Sequence, residues 1–449
     1  MIGGGLGGLA AAARLCKVGH DVTLVERTSR LGGVVHAVEH SFSERESFRW
    51  DDGPATMTLP AAARDLFRKS GRPLERALEL EPVTTPRRHA FADGTVLDLP
   101  VGNRAGQHRA LDAALGPAAA KDWQTVVDDL APLWERLRTR VLEVPFTGGV
   151  RSLGPAGFRA LASGRSLRSY ARGRLRDQRA RQLLEHLAVA TGSDPGQTPA
   201  LAAVQAYVER TFGLWTSPGG LTRLAEVLAE RVHERGVDVR MGTEALGITT
   251  DGNGVSEVSV AGGDRLPADV VVAGVDVRTL VGELLAGPPR SLRRAARAIR
   301  QAPARTGVHL GLRGYADLPF ETVFHGTVPG DPLTVIVRAP ADPSLAPEGH
   351  RAVTVLVAGP RHTGGATDPL EILAARGLDL RRDVVARVDA DPQPYGPVWR
   401  GWWRGLGVPT NQTAVRGLFV VGGSAHPGPG VPSVLLGAAA VAQLVGSAR

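Results

Sequence analysis

The chain begins with a glycine motif that leaves its first residues little choice of fold. Gly3, Gly5 and Gly8 have the G-x-G-x-x-G spacing, and Glu26 follows at the end of an apolar run over 22–25. In such a strand–turn–helix–strand unit the first glycine permits a tight turn, the second lets the backbone approach a pyrophosphate, and the third lets the helix pack closely on the strand. The pyrophosphate lies at the helix N-terminus, where Glu26 accepts hydrogen bonds from an adenosine ribose. The motif therefore predicts a dinucleotide site.

The sequence after the glycines supports this unit, whereas the sequence before them is shorter than an ordinary strand. Residues 9–18 are alanine-rich and predict a helix that ends at Gly19, and residues 22–25 predict a buried parallel strand. A strand before the glycines normally spans about five residues, but only Met1 and Ile2 precede them. Either the first strand is a stub or upstream residues are missing.

Length and cysteine content restrict the class of protein. A chain of 449 residues exceeds one ordinary core and suggests two or three domains. Cys16 is the only cysteine, which excludes a disulfide framework and a Cys-x-x-Cys metal site, and it favours a cytoplasmic location. No metal is expected. The apolar stretch 431–445 is shorter than the ~20 residues of a membrane-spanning helix and predicts a buried helix.

The charge of the chain is positive and is carried by arginine. The net charge is +8, with lysine only at positions 17, 69 and 121. Residues 151–181 contain nine arginines and one acid, Asp177, interleaved with apolar residues. Such a helical stretch either lies on a membrane surface, as a peripheral contact at the inner face, or is a solvated helix face over a core stripe. Nucleic-acid binding is not expected, because no recognised binding module accompanies the charge.

The pattern of apolar residues and turns divides the chain into alternating segments. We predict a hairpin over 91–97, helices over 103–209, a helix over 221–235 followed by a strand over 237–240, strands over 255–260 and 265–273, and a closing strand, loop and helix over 417–449. Together these segments predict a discontinuous dinucleotide-binding domain (1–75, 216–286 and 405–449) and an inserted substrate domain (76–215 and 287–404).

Several segments resemble the phytoene desaturase-like (carotenoid desaturase) family of FAD-dependent oxidoreductases, within the flavin amine oxidase superfamily. Glu26-Arg27 with Gly32-Gly33 is similar to the second signature of two-dinucleotide-binding-domain flavoproteins. The other matching segments, in chain order, are 51–56, 191–200, 215–221, 341–349 and 417–432. The last of these, Gly-Leu-Phe-Val-Val-Gly-Gly-Ser-Ala-His-Pro-Gly-Pro-Gly-Val-Pro, resembles the bacterial-type carotenoid desaturase signature and is the most specific.

The resemblance implies an α/β fold: a Rossmann-type, glutathione-reductase-like FAD-binding domain with an inserted α+β substrate domain. It implies FAD as the cofactor. Together with the glycine motif it predicts these cofactor-binding residues: Gly3, Gly5, Leu6, Gly7, Gly8, Glu26, Arg27, Gly32, Gly33, Gly53, Pro54, Ala55, Thr56, Val239, Gly422, Gly423, Gly430, Val431 and Pro432.

The implied reaction is dehydrogenation of carbon–carbon bonds in an apolar carotenoid, isoprenoid or polyene, with hydride transfer to the flavin N5. The cofactor carries the difficult chemistry, and the protein supplies position and dryness. His426 is the only titratable group in the signature loop. It is a candidate proton acceptor or flavin contact, with a structural role in the loop as the alternative. The oligomeric state is left open.

Two positions depart from the pattern of relatives. Val34 stands where many relatives carry an arginine that helps to hold the FAD diphosphate, and Phe320-Glu321 stands where relatives often have two histidines. The alternatives left open are a flavin-dependent cis/trans isomerase, an amine oxidase-like or protoporphyrinogen oxidase-like enzyme, and a non-catalytic binder similar to GTPase escort proteins.

Overall fold

A computed structural model describes residues 1–146, 165–252, 254–303, 306–314, 317–326, 334–358, 368–390, 396–398 and 408–448. The helices in these ranges are α1 (Leu6–Lys17), α2 (Ala61–Lys69), α3 (Arg104–Leu115), α4 (Pro117–Asp128), α5 (Ala131–Leu137), α6 (Leu167–Arg174), α7 (Gln178–Val189), α8 (Val204–Phe212), α9 (Arg223–Glu234), α10 (Arg290–Ala298), α11 (Pro369–Ala375) and α12 (Val431–Val445). Shorter helical turns cover Leu74–Arg76, Arg138–Leu142, Ala200–Ala203, Val277–Thr279, Leu280–Leu284 and Pro343–Leu345.

The strands in the described ranges are β1 (Thr23–Val25), β2 (Ala37–Ser41), β3 (Ser47–Asp51), β4 (Glu81–Pro82), β5 (Arg87–Ala90), β6 (Val96–Leu99), β7 (Trp215–Thr216), β8 (Asp238–Arg240), β9 (Ala245–Asp251), β10 (Gly254–Val260), β11 (Arg265–Pro267), β12 (Val271–Ala273), β13 (Arg300–Gln301), β14 (Thr306–Arg313), β15 (Glu321–Phe324), β16 (Thr334–Arg338), β17 (His350–Ala358), β18 (Val384–Asp389), β19 (Pro397–Val398) and β20 (Leu418–Val420).

A parallel sheet forms the centre of the first domain, and the start of the chain lies in its middle. β8 pairs with β1, and β12 pairs with β20, both in parallel. Ile2 bridges Val25 on one side and Ala273 on the other, and its N–H donates to the Val272 carbonyl at 3.0 Å. The order is therefore β8, β1, Ile2, β12, β20. Ile2 occupies the place of the central strand.

Helices cover one face of this sheet, and a small antiparallel sheet covers the other. Buried residues of α1, α2, α9 and α12 form one core with β1 and β12. Alanine favours helix, and its small side chain lets α1 pack closely, so residues 10–13 have no exposed surface. On the opposite face β9, β10 and β11 pack with residues 277–299, which include α10. The result is the three-layer arrangement of a dinucleotide-binding domain.

A mixed seven-stranded sheet forms the centre of the second domain. Its strand order is β18, β14, β17, β16, β15, β5, β6, and all pairs are antiparallel except β15 with β5. The valine-rich faces of β14, β16 and β17 pack on α11. A separate helical core from α3 to α8 packs beyond β6. This domain is α+β and interrupts the first, as the resemblance implies.

The two domains meet where β3 crosses the seven-stranded sheet. The Phe48 ring packs on β14 at Gly311, where a Cβ atom would lie 2.5 Å from the ring. The Trp50 indole N–H donates to the Leu310 carbonyl at 3.1 Å. A hydrogen bond and a ring fitted against glycine together hold β3 in one position on the sheet. The residues that follow β3 are positioned by this contact.

Most predicted elements are confirmed, with shifted ends. The 91–97 hairpin forms between β5 and β6, and the helix predicted over 431–445 is α12. The predicted strand over 265–273 is wrong as one strand: it is divided into β11 and β12, which belong to different sheets. β11 pairs with β10, whereas β12 pairs with β20, so the two halves follow different partner strands. The exact domain boundaries stay a prediction.

The basic stretch 151–181 is only partly described, since residues 151–164 lie outside the described residues. In the remainder, most arginines face acids. Arg168 lies 3.2 Å from Asp194 and Arg176 lies 2.9 Å from Asp122, while Arg174 pairs with Asp129. Each pair cancels the local charge, which favours a solvated helix face for this part. Within the described ranges, no helix combines the length and apolar character needed to cross a bilayer.

We predict that Gly8→Ala lowers the free energy of unfolding of the apoprotein by about 3 kcal/mol. A Cβ atom at Gly8 would lie 2.0 Å from the Gly3 carbonyl oxygen, so α1 would have to move away from the sheet. Urea unfolding measures the change. Gly282→Ala is the control, because a Cβ atom there has no neighbour within 4 Å. Equal stability of the two variants would contradict the prediction.

Candidate functional site

Segments far apart in the chain meet at the N-terminus of α1. A Cβ atom at Gly7 would lie 3.0 Å from the Gly422 nitrogen, and one at Gly33 would lie 3.1 Å from the Gly5 Cα. The N–H of Gly32 donates to the Gly4 carbonyl at 2.8 Å. The glycine motif, the Gly32–Gly33 turn and the C-terminal loop therefore lie side by side, and their binding of FAD stays a prediction.

The segment 53–56 lies against the same turn. A Cβ atom at Gly53 would lie 2.2 Å from the Val34 carbonyl oxygen, so a glycine is needed for this approach. Just before it, the Asp51 carboxylate accepts the Thr222 backbone N–H at 2.9 Å, at the start of α9. Burial raises the pKa of Asp51 against the lowering effect of these hydrogen bonds. Asp51 thus anchors this segment to the first domain.

The geometry at α1 fits the anionic diphosphate of FAD. Gly3 has φ +92°, which makes the tight turn, and a Cβ atom at Gly5 would have no neighbour closer than 4.0 Å. Neither α1 nor α12 has a capping side chain or an acid in its first turn. Helix N-termini carry unpaired N–H groups and partial positive charge, so an anion stabilises both. The space beside Gly5 is where the backbone can approach that anion.

Glu26 lies beside the glycine turn, at the predicted ribose position. Its Oε2 accepts the Gly4 N–H at 2.7 Å and its Oε1 accepts the Thr28 N–H at 2.9 Å. Val239 lies on β8, the neighbouring strand, and the side chain of Arg27 is exposed. These positions are compatible with the adenosine end of FAD. The contacts of all three with FAD stay predictions.

The remaining predicted cofactor residues lie on the same segments. They are Leu6 on α1, Pro54, Ala55 and Thr56 after Gly53, Gly423 after Gly422, and Gly430, Val431 and Pro432 at the start of α12. Ala55 and Val431 are buried, whereas Pro54, Thr56 and Pro432 are partly exposed.

His426 is buried between the C-terminal loop and the helical layer. Its Nε2 lies 2.8 Å from the Val141 carbonyl, which can only accept, so Nε2 carries the hydrogen. The Phe146 ring stacks on the imidazole at 4.6 Å. Burial lowers the pKa of His426. Nδ1 therefore holds a lone pair, and it has no hydrogen-bond partner among the described residues. A structural role is visible, and the catalytic role stays a prediction.

A buried ionic layer on the seven-stranded sheet lies next to Gly53. Arg338 donates to the Gly53 carbonyl at 3.0 Å, and Arg87 lies 2.5 Å from Glu321 and 2.8 Å from Glu209. Burial alone would raise the pKa of Glu321, but the charges of Arg87 and Arg338 lower it to about 2. The face of the sheet that meets the cofactor segment is therefore polar and charged.

Three buried imidazoles continue this polar face. His89 Nδ1 lies 3.0 Å from His325 Nε2, and the ring of His186 on α7 lies 5.8 Å from that of His89. Burial lowers the pKa of all three, that of His186 to about 4. His89 Nε2 and His186 Nδ1 have no hydrogen-bond partner among the described residues. These neutral rings offer unused hydrogen-bonding atoms inside the second domain.

No group of three or more acidic, histidine or cysteine side chains in the described ranges is arranged to hold a metal ion. Sequence reasoning missed the polar groups of the seven-stranded sheet. His89, His186 and His325 come from separate elements and share no motif. Asp52, between His36 and His309, lies within the matched segment 51–56, and this was the one signal that pointed to it.

We predict that Gly5→Val weakens FAD binding at least tenfold and leaves the free energy of unfolding of the apoprotein nearly unchanged. The space beside Gly5 is open in the protein, so a branched side chain would meet the cofactor and not the fold. Fluorescence titration of apoprotein with FAD, together with urea unfolding, measures both quantities. Undiminished FAD affinity would contradict the placement.

We predict that the apoprotein loses stability between pH 7 and pH 5. The folded pKa of His186 is about 4, below the unfolded value of about 6.5, so the unfolded chain binds the proton first as the pH falls. His186 alone contributes about 2 kcal/mol to this loss. His186→Gln should flatten the curve by that amount in urea unfolding, whereas His233→Gln, at an exposed position on α9, should not. Identical curves for the two variants would contradict it.

Two relatives match this chain over nearly its whole length. A 4,4'-diapolycopene oxygenase from Methylomonas sp is 28% identical over 97% of this chain and 95% of its own. A hydroxyneurosporene desaturase from Cereibacter sphaeroides is 29% identical over 97% of this chain and 94% of its own. Among solved structures, cyclohexylamine oxidase from Brevibacterium oxydans has a TM-score of 0.66 at 16% identity, covering 99% of this chain and 98% of its own.

The structural neighbour confirms the fold, and the sequence relatives confirm the resemblance to carotenoid desaturases. The sequence profile described as flavin containing amine oxidoreductase matches residues 6–432. That span runs from the first residue of α1 to the start of α12, so it includes Gly8, the Gly32–Gly33 turn and the C-terminal loop. The protein is an FAD-dependent oxidoreductase, and the chain belongs to the flavin-containing amine oxidoreductase family.

Proposed function

We propose that the protein dehydrogenates carbon–carbon bonds of a carotenoid or a similar long polyene. The observation that carries this proposal is the meeting of the C-terminal signature loop with α1 at Gly422, in a chain whose relatives are named for carotenoid desaturation and oxygenation. The glycine motif alone would suit many dinucleotide enzymes. The signature loop beside it favours this reaction class.

The residues on the site have separable tasks. When bound, FAD supplies the two-electron acceptor for the hydride that leaves carbon. The N-termini of α1 and α12 hold the anionic part of the cofactor, and Glu26 holds its ribose. His426 Nδ1, a buried lone pair without a partner in the described chain, is the candidate acceptor for the proton that leaves the neighbouring carbon. Phe146 and the surrounding loop keep water from this imidazole.

A polyene that carries an oxygen atom is favoured over a plain hydrocarbon. The buried polar face next to Gly53 leaves His89 Nε2 and His186 Nδ1 unpaired among the described residues. Burying polar atoms without partners costs free energy, and a hydroxyl or carbonyl group of the substrate would remove that cost. The relatives named for oxygenation and for a hydroxylated carotenoid are consistent with this choice.

The test is anaerobic turnover with purified holoprotein. A desaturase should bleach the flavin absorbance when a polyene is added, and mass spectrometry should show the loss of two hydrogens per turnover. Isomerisation without net oxidation would favour the isomerase, and bleaching by amines alone would favour the amine oxidase. Protein that takes up FAD but reacts with none of these substrates would contradict the proposal.

We infer further that α10 is the surface that meets an anionic membrane, where apolar substrates are stored. Its Leu292 and Ala296 are buried, whereas its four arginines at 290, 293, 294 and 297 are exposed and form no ion pair with another described residue. This differs from 165–181, where acids neutralise most arginines. Unpaired exposed cations are attracted to anionic headgroups.

We predict that replacing Arg293, Arg294 and Arg297 together by glutamine lowers affinity for vesicles containing anionic phospholipid about a hundredfold. Each arginine near such a surface contributes about 1 kcal/mol, which is about a fivefold change in affinity. Vesicle co-sedimentation measures the effect. The matched control replaces Arg104, Arg174 and Arg176, which removes the same charge from arginines that are paired with acids. Equal losses in the two variants would contradict α10 as the contact surface.

A further inference from the structure

A buried carboxylate lies between two imidazoles beside the Gly32–Gly33 turn. His36 Nε2 lies 3.2 Å from Asp52 Oδ2, and His309 Nε2 lies 3.0 Å from Asp52 Oδ1. The side chains of Asp52 and His309 are 4% and 0% exposed, and that of His36 is 11% exposed. His36 and Asp52 belong to the first domain and His309 to the seven-stranded sheet, so this group joins the domains next to the cofactor turn.

The hydrogen-bond partners of His36 determine its charge. Its Nδ1 lies 3.1 Å from the Gly33 carbonyl oxygen, and its Nε2 faces the Asp52 carboxylate. Both of these oxygens can only accept a hydrogen bond, and a neutral imidazole has a single N–H. The imidazolium is the one form that donates to both.

The partners of His309 do not require both of its ring nitrogens to donate. Its Nδ1 lies 3.0 Å from the Thr354 hydroxyl, which can donate as well as accept. Burial alone would raise the pKa of Asp52, but the hydrogen bonds from His309 and His36 hold it well below its usual range. The group therefore consists of the Asp52 carboxylate with one imidazole ring on each of its oxygens.

We propose that His36, held as an imidazolium by Asp52, is a positioning residue for the FAD diphosphate. It fixes the carbonyl of Gly33, whose Cα lies against Gly5, and it places a positive charge under the turn that the diphosphate meets. The residue that follows the turn, Val34, is an exposed apolar side chain and provides no charge. This proposal rests on FAD binding and is independent of which substrate the enzyme oxidises.

Titratable and charged groups from three elements surround His36. They are Asp52 after β3, His309 on β14, and Arg338 on β16, which donates to the Gly53 carbonyl. Asp51 is close in sequence, but its carboxylate is bonded to the start of α9. A neutral side chain at position 36 would place no positive charge beside the turn, so FAD affinity should fall when His36 is replaced by a neutral residue.

The experiment is fluorescence titration of apoprotein with FAD at pH 7 for the wild type and three variants. We expect His36→Gln to bind FAD about tenfold more weakly, because glutamine carries no positive charge. His36→Arg, a permanent cation with donors for both oxygens, should restore binding. His40→Gln, an exposed histidine on β2, should behave as the wild type.

A second measurement does not depend on FAD. Nitrogen-15 NMR of histidine-labelled apoprotein at pH 7, with the resonance assigned by its absence in His36→Gln, should show both ring nitrogens of His36 protonated. A neutral ring at pH 7, or an unchanged FAD affinity in His36→Gln, would overturn the proposal. If the enzyme turned over no polyene, the FAD affinities and the NMR result would not change. The proposed role of His36 and the proposed dehydrogenation of polyenes can therefore fail independently.

Discussion

The close approach of α1 to the central strand is the contact on which the rest of the structure depends. With no side chain at Gly8, the helix packs against the Gly3 carbonyl, and with none at Gly7 its first turn touches Gly422. This brings the N-terminal motif and the C-terminal loop, more than 400 residues apart, into one site. The same contact places the first turn of α1 against Val434 in the first turn of α12, and neither helix has a capping side chain, so both N-termini favour an anion.

The second domain gives the site a polar wall. β3 is held on the seven-stranded sheet by Trp50 and Phe48, and the residues after it carry Asp52 to His309 and Gly53 to Arg338. Buried charges are stable only when they are paired and hydrogen-bonded. Here the pairs cross between the domains, so the same contacts that orient the domains also set the charges around the cofactor segment.

Much of the first domain could be predicted because its signals are local. The spacing of Gly3, Gly5 and Gly8, the alanine-rich helix and the apolar run before Glu26 determine a strand–turn–helix–strand unit whatever lies elsewhere. The stretch 431–445 was likewise predicted as a buried helix. The single strand expected over 265–273 was wrong because its two halves pair with distant partner strands in different sheets, which no local pattern indicates.

The sequence by itself determined the dinucleotide unit and the FAD-dependent class, because these depend on short motifs whose spacing is local. Only the tertiary structure decided which charges meet. It neutralised most of the arginines of 165–181 with acids and left those of α10 exposed, and it brought His36, Asp52 and His309 together from three elements. Contacts between distant residues depend on how sheets and helices pack, and no local pattern encodes that packing.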